Sequence, residues 1–226
     1  MRILMTAGAT CEPIDSVRFI TNFSTGQTGA TLAEALNASG AKITYLKGKA
    51  AVAPRLYESE VVGFTSFLDL DHKMTRKLSA ELFDVVIHLA AVSDYSVAAV
   101  EVKGQWLSLS EVSSIGKLSS SEDLSIKLTK NHKILNRIKE YVPGEKKPKV
   151  VGFKLTDTSN AEHRLEAVQS LLGTGSVDYV VHNDLSEVRK NEQHLFRIYR
   201  PGGFIAQAAS AKELAHKLSF ELNTER

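Results

Sequence analysis

The sequence predicts an α/β fold: a doubly wound, mostly parallel sheet in a Rossmann-like three-layer sandwich, with an antiparallel C-terminal edge hairpin. Three observations predict it. Short β-branched apolar runs alternate with longer helical patterns along the chain. Val85-Val86-Ile87, Val150-Val151 and Tyr179-Val180-Val181 are apolar on consecutive positions, as strands covered on both faces require. The last two apolar runs flank Pro201-Gly202-Gly203, a turn signal, with no helical pattern between them.

In chain order, the first strand is Ile3–Thr6, followed by Gly8 and a polar crossing that ends in Arg18-Phe19-Ile20-Thr21. A helix over Thr28–Ala38 carries the apolar stripe Leu32, Ala33, Leu36 and stops at Ser39-Gly40. Further strands are expected at Lys42–Leu46, Glu60–Phe64, Asp84–Leu89, Leu124–Leu128, Lys149–Leu155 and Val177–His182. The hairpin strands are Leu195–Tyr199 and Phe204–Gln207. Further helices are expected at Ser66–Glu81, Lys130–Tyr141, Asn160–Leu172 and Ala211–Asn223. Ser93 to Ser121 breaks the rhythm: it is rich in Ser, Val and Gly, has no clean period and holds the only Trp, Trp106. So long an irregular stretch reads as a flexible arm or lid at about 96–121, or as a surface excursion with a little strand of its own. The organisation expected is one domain over 1–226.

Composition narrows the function classes. At 226 residues with 43% hydrophobic and 24% charged residues, the chain can build one large core. A net charge of +2 does not argue for nucleic acid. A lone cysteine, Cys11, excludes an internal disulfide and a cysteine-rich metal site. No apolar run approaches the roughly 18–20 residues of a membrane span. No basic-then-apolar leader precedes the first strand, so a cytoplasmic protein acting without membrane or nucleic acid is expected.

The stretch Asn22-Phe23-Ser24-Thr25-Gly26-Gln27-Thr28-Gly29 runs straight into the first helix. Glycines and small hydroxylated residues at a helix start let backbone N–H groups point outward, and the helix dipole adds positive potential, so an anion is the natural guest. The spacing fits neither G-x-G-x-x-G nor G-x-x-x-x-G-K-[ST]. Four strand ends carry small or polar residues: Gly8–Thr10, Ala90–Tyr95, Phe153-Lys154 and His182-Asn183-Asp184. In doubly wound sheets such ends border one crevice. Asp94 could hold ribose hydroxyls, a base amine or a metal, or cap the next turn; Asn183-Asp184 could be a turn pair. Lys117 after Gly116 could close over a phosphate, or be a solvated surface lysine. Lys127, Lys130, Lys133 and Arg137 recur every three or four residues; such a series is usually a solvated helix face, but a helix opening at Asn131 could also point donors at a polyphosphate. The histidines show no metal-ligand spacing, and no protein metal site is assigned. No Gly-x-Ser-x-Gly elbow is present.

Taken together, Thr6-Ala7-Gly8-Ala9-Thr10, Glu12-Pro13-Ile14-Asp15, Val17-Arg18-Phe19-Ile20 and Asn22 through Gly29 resemble the opening of the phosphopantothenate–cysteine ligase family. So do Ala90–Tyr95, Gly116-Lys117-Leu118, Ile126–Lys130, Val151-Gly152-Phe153 and Asn183-Asp184. The matches keep family order along essentially the whole chain. The resemblance implies a cytoplasmic ligase of coenzyme A biosynthesis that joins 4′-phosphopantothenate to L-cysteine through an acyl-nucleotidylate. It implies Mg²⁺ with CTP as co-substrate, ATP being possible, no flavin, a free-standing synthetase and a homodimer paired through the arm around Val97–Ser114. Asn22 matches the asparagine that holds the acyl group, and Lys117 the lid lysine of the acyl-nucleotidylate chemistry. Ala90, Ala91, Asp94, Lys117, His132, Lys133, Ile134, Leu135 and Phe153 match nucleotide-contacting positions. Gly8, Arg18, Asn22, Ser24, Gly26 and Gly29 fall on the substrate side. The chain departs from many members at Cys11, at Lys117-Leu118-Ser119-Ser120, at His132-Lys133 and in the helix from Asn160. Two other readings are a Rossmann-type oxidoreductase, against which stands the absent glycine fingerprint, and a non-catalytic nucleotide-binding regulator.

Overall fold

The computed structural model describes residues 1–119, 123–191 and 194–224; Ser120 and Ser121, at the end of the expected arm, lie outside them. Eight strands form the main sheet: β1 (Arg2–Ala7), β4 (Lys42–Gly48), β5 (Glu60–Phe64), β6 (Val85–His88), β10 (Lys149–Thr156), β11 (Tyr179–Asp184), β12 (Phe196–Arg200) and β13 (Gly203–Ala208). Their order is β13-β12-β11-β10-β6-β1-β4-β5. All neighbours pair in parallel except β11 with β12 and β12 with β13, so the expected sheet and its antiparallel edge both form.

The period of two along each strand splits the core. Ile3, Met5 and Ala7 of β1 point to one face, where α1 (Gln27–Ala38) and α7 (Ala211–Thr224) bring Leu32, Leu36, Leu214 and Leu218. Leu4 points to the other, with Leu70 and Met74 of α2 (Phe67–Ala80), Ile138 of α4 (Ile134–Tyr141) and Val168 of α5 (Ala161–Gly173). Helix starts follow their caps: Ser66 accepts from the Asp69 N–H, and Asn160 from those of Glu162 and His163. From β1 the chain winds outward through β4 and β5, then returns to β6 on the other side of β1. The topological switch point therefore lies between β1 and β6. Beyond it, the Ala91 N–H donates to the Gly8 carbonyl at 2.8 Å, joining the two strand ends.

The arm departs from its reading as an irregular stretch. β7 (Tyr95–Val102), β8 (Gln105–Ser108) and β9 (Ser125–Lys130) form an antiparallel sheet in the order β8-β7-β9, with α3 (Leu109–Ile115) across it. Val97, Val100, Val112 and Leu118 make its small core, joined by Ile14. Two local signals encode it. Lys103 (φ 52°) and Gly104 (φ 77°) form a two-residue hairpin turn, and Ser108 with Glu111 makes a reciprocal capping box at α3. A second small hairpin pairs β2 (Cys11–Pro13) with β3 (Phe19–Thr21) inside the polar crossing.

Two boundaries need correction. The run expected as a strand at Leu124–Leu128 belongs to the arm sheet, and it continues to Lys130, because Tyr95 pairs with Lys130 and Ser96 with Thr129. Strand pairing at distance overrides local helical spacing. Consequently the helix expected from Lys130 starts at Ile134, with Lys133 as its N-cap residue and no side-chain cap. Asn131 opens no helix; its side chain instead donates to the Ser93 carbonyl and accepts from the Ser96 hydroxyl. Of the basic series only Arg137 is helical, so the four cations share no helix face.

Candidate active site

Helix α1 begins at the switch point without a side-chain cap. Its N-cap residue is Gly26 at φ 71°, and its first turn holds no acidic residue. Outward N–H groups at such a start favour an anion. In front of it lies a cavity of about 410 Å³ lined by residues 23–28, by Leu89, Ala90 and Ala91 beyond β6, and by Phe153, Leu155 and Asn183 of β10 and β11. Leu185, His194 and Phe196 complete it. Ser24, Gly26, Ala90, Ala91 and Phe153 were expected at the site, and the fold brings all five to this one cavity. Phe153 reaches it because it follows Val151 on the α1 face of β10; Lys154 falls on the opposite face by the pleat. A second cavity of about 430 Å³ lies on the α5 face against the β12–β13 turn, and none of the expected site residues lines it.

Three glycines make close approach possible. A Cβ on Gly8 (φ 82°) would stand 2.5 Å from the Ala51 Cβ, and one on Gly26 2.8 Å from the same atom. A Cβ on Gly29 would stand 2.5 Å from that of Ala7 and 2.9 Å from the Tyr45 hydroxyl. Gly29 therefore lets α1 seat against β1 and β4, Gly8 lets the Gly48–Ala51 segment close over the end of β1, and neither lines the cavity. Gly29→Ala is expected to destabilise the fold by about 1–3 kcal/mol through overpacking, read as a fall in Tm.

Thr6 holds the cavity wall. Its Oγ1 accepts from the N–H groups of Leu89 (3.2 Å, shared with the Thr6 carbonyl at 3.1 Å) and Ala90 (3.3 Å), and hydrogen-bonds Nδ1 of His88 at 2.9 Å. Burial keeps the His88 imidazole neutral, pushing its pKa down from 6.5 to about 4. With the folded value depressed, this contribution to stability is complete above about pH 6.5 and is lost as the pH falls towards 4. Wild type is expected to lose about 2 kcal/mol of unfolding free energy between pH 7 and 5 through this group. Urea titrations of wild type and His88→Asn at both pH values check it: the variant's loss should be smaller by that amount.

Asn22 lies at the cavity margin, exposed, with Nδ2 donating to the Val92 carbonyl at 3.3 Å. Arg18 lines no part of the cavity. Its guanidinium meets Asp15, with Nη2 2.8 Å from Oδ2 and Nε donating to Oδ2 at 2.9 Å, and Nη2 also donates to the Leu118 carbonyl at 2.6 Å. Burial would raise the Asp15 pKa. The N–H groups of Val17, Arg18 and Leu118 and the Arg18 side chain outweigh that and hold it at about 2. Lys117 is exposed next to this anchor.

The remaining nucleotide-side positions gather at the start of α4, outside the lining of this cavity. Asp94 and Lys133 form an exposed ion pair with each other. His132 packs its ring edge on Phe67 and places Nε2 3.2 Å from Asp71, which also accepts from the Tyr141 hydroxyl. Ile134 is core, and Leu135 packs over Gly152. Asp184 is fully buried and caps α6 (Leu185–Asn191), which the sequence reading left out; the signal was Asp184 three residues before Glu187. Phe23, Leu155, Leu185, His194 and Phe196 also escaped it. The first belongs to the recognised Asn22–Gly29 stretch but carried no role there, and the others come from the strand ends and connection at β10–β12.

Comparisons with known proteins agree with this geometry. The family model for the DNA/pantothenate metabolism flavoprotein C-terminal domain matches residues 1–224. The Coenzyme A biosynthesis bifunctional protein CoaBC of Thermococcus kodakarensis is 30% identical over 221 residues, covering 98% of this chain and 50% of its own length. The chain thus spans about half the length of the curated relatives it matches. Among solved structures, the DNA/pantothenate metabolism flavoprotein of Streptococcus pneumoniae superposes with a TM-score of 0.84 at 28% identity, covering all of both chains. The C-terminal domain of a CoaBC protein superposes at 0.72 with 26% identity, covering 99% of this chain and 94% of its own. With its sheet order, its switch-point cavity and a match that runs from the first residue to the last helix, the chain belongs to the family of the DNA/pantothenate metabolism flavoprotein C-terminal domain.

Proposed function

We propose that the chain is a phosphopantothenate–cysteine ligase, acting in coenzyme A biosynthesis. The observation that carries this reading is the end-to-end match to the C-terminal half of proteins named for that pathway. A carboxylate oxygen of 4′-phosphopantothenate attacks the α-phosphorus of a nucleoside triphosphate, and pyrophosphate leaves. The cysteine amine then attacks the acyl carbon, the nucleoside monophosphate leaves, and the amine's proton is released. Such steps ask the protein chiefly for alignment and for charge stabilisation on the transferring group.

The cavity offers the parts. The uncapped start of α1, with Ser24 and Thr28, presents donors to an anionic substrate. Ala90 and Ala91 leave room for a flat ring, and Phe153 offers it a face. Asn22 would hold the acyl oxygen and Lys117 would neutralise charge at the α-phosphorus. Among the described residues no three His, Cys, Asp or Glu side chains converge as a metal site, so Mg²⁺ would arrive on the triphosphate. CTP is the co-substrate favoured over ATP. A homodimer joined through the arm, in the cytoplasm, completes the reading.

The test incubates the protein with 4′-phosphopantothenate, L-cysteine, Mg²⁺ and either CTP or ATP, and follows pyrophosphate and the amide product. Both products are expected, faster with CTP. No pyrophosphate with either nucleotide overturns the ligase, and NADPH binding in its place would favour an oxidoreductase.

A further inference from the structure

The turn between β2 and β3 is built around one buried carboxylate. The Asp15 side chain is fully enclosed, yet its partners are mostly backbone. Oδ1 accepts from the N–H groups of Val17 (2.9 Å) and Arg18 (2.7 Å), which closes the turn. Oδ2 accepts from Arg18 Nε at 2.9 Å and from the N–H of Leu118, 103 residues away, at 3.1 Å. Arg18 completes the grip by donating from Nη2 to the carbonyl of the same Leu118. One peptide segment is thus held at both its donor and its acceptor, by an enclosed carboxylate and its part-exposed guanidinium partner, at the arm's core, where Leu118 is 3% exposed. Ser16 adds an N–H to the Gly116 carbonyl at 3.4 Å.

Lys117 sits between these fixed points. Before it, Gly116 adopts φ 84° and ψ −118°, a conformation closed to ordinary L-residues. After it, Leu118 is clamped. The exposed lysine therefore projects from a backbone whose path is set from outside the arm. The same turn feeds β3, which ends at Thr21, immediately before Asn22. We infer that Asp15, acting with Arg18, is a positioning residue: it fixes the Lys117 backbone relative to the Asn22 loop, so that two groups of the ligase reaction meet across the crevice. This rests on the ligase reading. It moves Arg18 from substrate contact to the support of Lys117, and gives a catalytic consequence to a carboxylate that touches no substrate.

A double-mutant cycle tests it through pyrophosphate release, using wild type, Asp15→Asn, Lys117→Gln and the double variant. Asp15→Asn keeps the size of the side chain but weakens the acceptor and the Arg18 pair. It is expected to lower kcat by about 30-fold with little change in KM, as a misplaced catalytic group does. In the Lys117→Gln background the same substitution should change kcat less than about 3-fold, because the group it positions is gone. Hydrogen exchange at the Leu118 amide should quicken at least about 10-fold in Asp15→Asn while α1 stays protected. Arg18→Lys, which keeps the charge but loses the fork that spans Asp15 and the Leu118 carbonyl, should repeat the pattern. Equal losses in both backgrounds, or unchanged turnover and Leu118 exchange in Asp15→Asn, overturn the inference while the ligase reading stands. An inactive wild type overturns that reading first and the inference with it.

Discussion

Replacing Lys117 by glutamine is expected to lower the rate of pyrophosphate release by about 100-fold or more, roughly 3 kcal/mol of transition-state stabilisation. Glutamine keeps most of the length and the hydrogen-bonding end, and removes only the charge. Because the side chain is exposed and the backbone is held at Leu118, Tm should stay within about a degree of wild type. The loss should fall on kcat, since an added positive charge matters most when negative charge is shifting at phosphorus. Single-turnover measurement of pyrophosphate checks it directly. Near-normal turnover would return Lys117 to a solvated surface residue and remove the centre of the proposed chemistry.

Asp184→Ala is expected to cost about 3 kcal/mol of folding stability, measured as a drop in the urea midpoint at unchanged m. The carboxylate is fully buried and accepts from the hydroxyls of Thr156 and Ser186 and from the N–H groups of Thr158, Ser186 and Glu187. Removing it strands those donors at the ends of β10 and α6. Burial alone would raise its pKa, but the hydrogen bonds outweigh burial and hold the carboxyl well below the ordinary value of 3.8. The sign follows: a depressed carboxylate contributes stability that is complete above about pH 4 and lost as the pH falls below it. Wild type should therefore lose stability steeply from pH 4 downward, Asp15 adding to the slope down to about 2. Asp184→Ala should show a shallower fall over the same range.

The main sheet was legible because burial on both faces writes itself into consecutive apolar residues, as in Val85-Val86-Ile87. The C-terminal hairpin was legible for another local reason, the Pro201-Gly202-Gly203 turn. The arm was harder. Its strands are half exposed and weakly periodic, so the evidence for them lay in punctuation: Lys103-Gly104 for the turn, Ser108 and Glu111 for the helix cap. The helix wrongly begun at Lys130 shows the limit of spacing. Lys127, Lys130 and Lys133 fit a helical face, but pairing with Tyr95–Glu101 holds the first two in a strand.

For the site, the sequence by itself determined the candidates that depend on local chemistry: a glycine-bearing helix start at Gly26, small residues at Ala90 and Ala91, and an aromatic at Phe153. These act through backbone form and strand position, which neighbouring residues encode. Only the tertiary structure decided what contacts across the chain decide. It put Gly8 and Gly29 to packing, His132 on Asp71, and Arg18 on Leu118. The reason is physical: a side chain's partner 100 residues away is set by the topology of the sheet, and no local pattern records it.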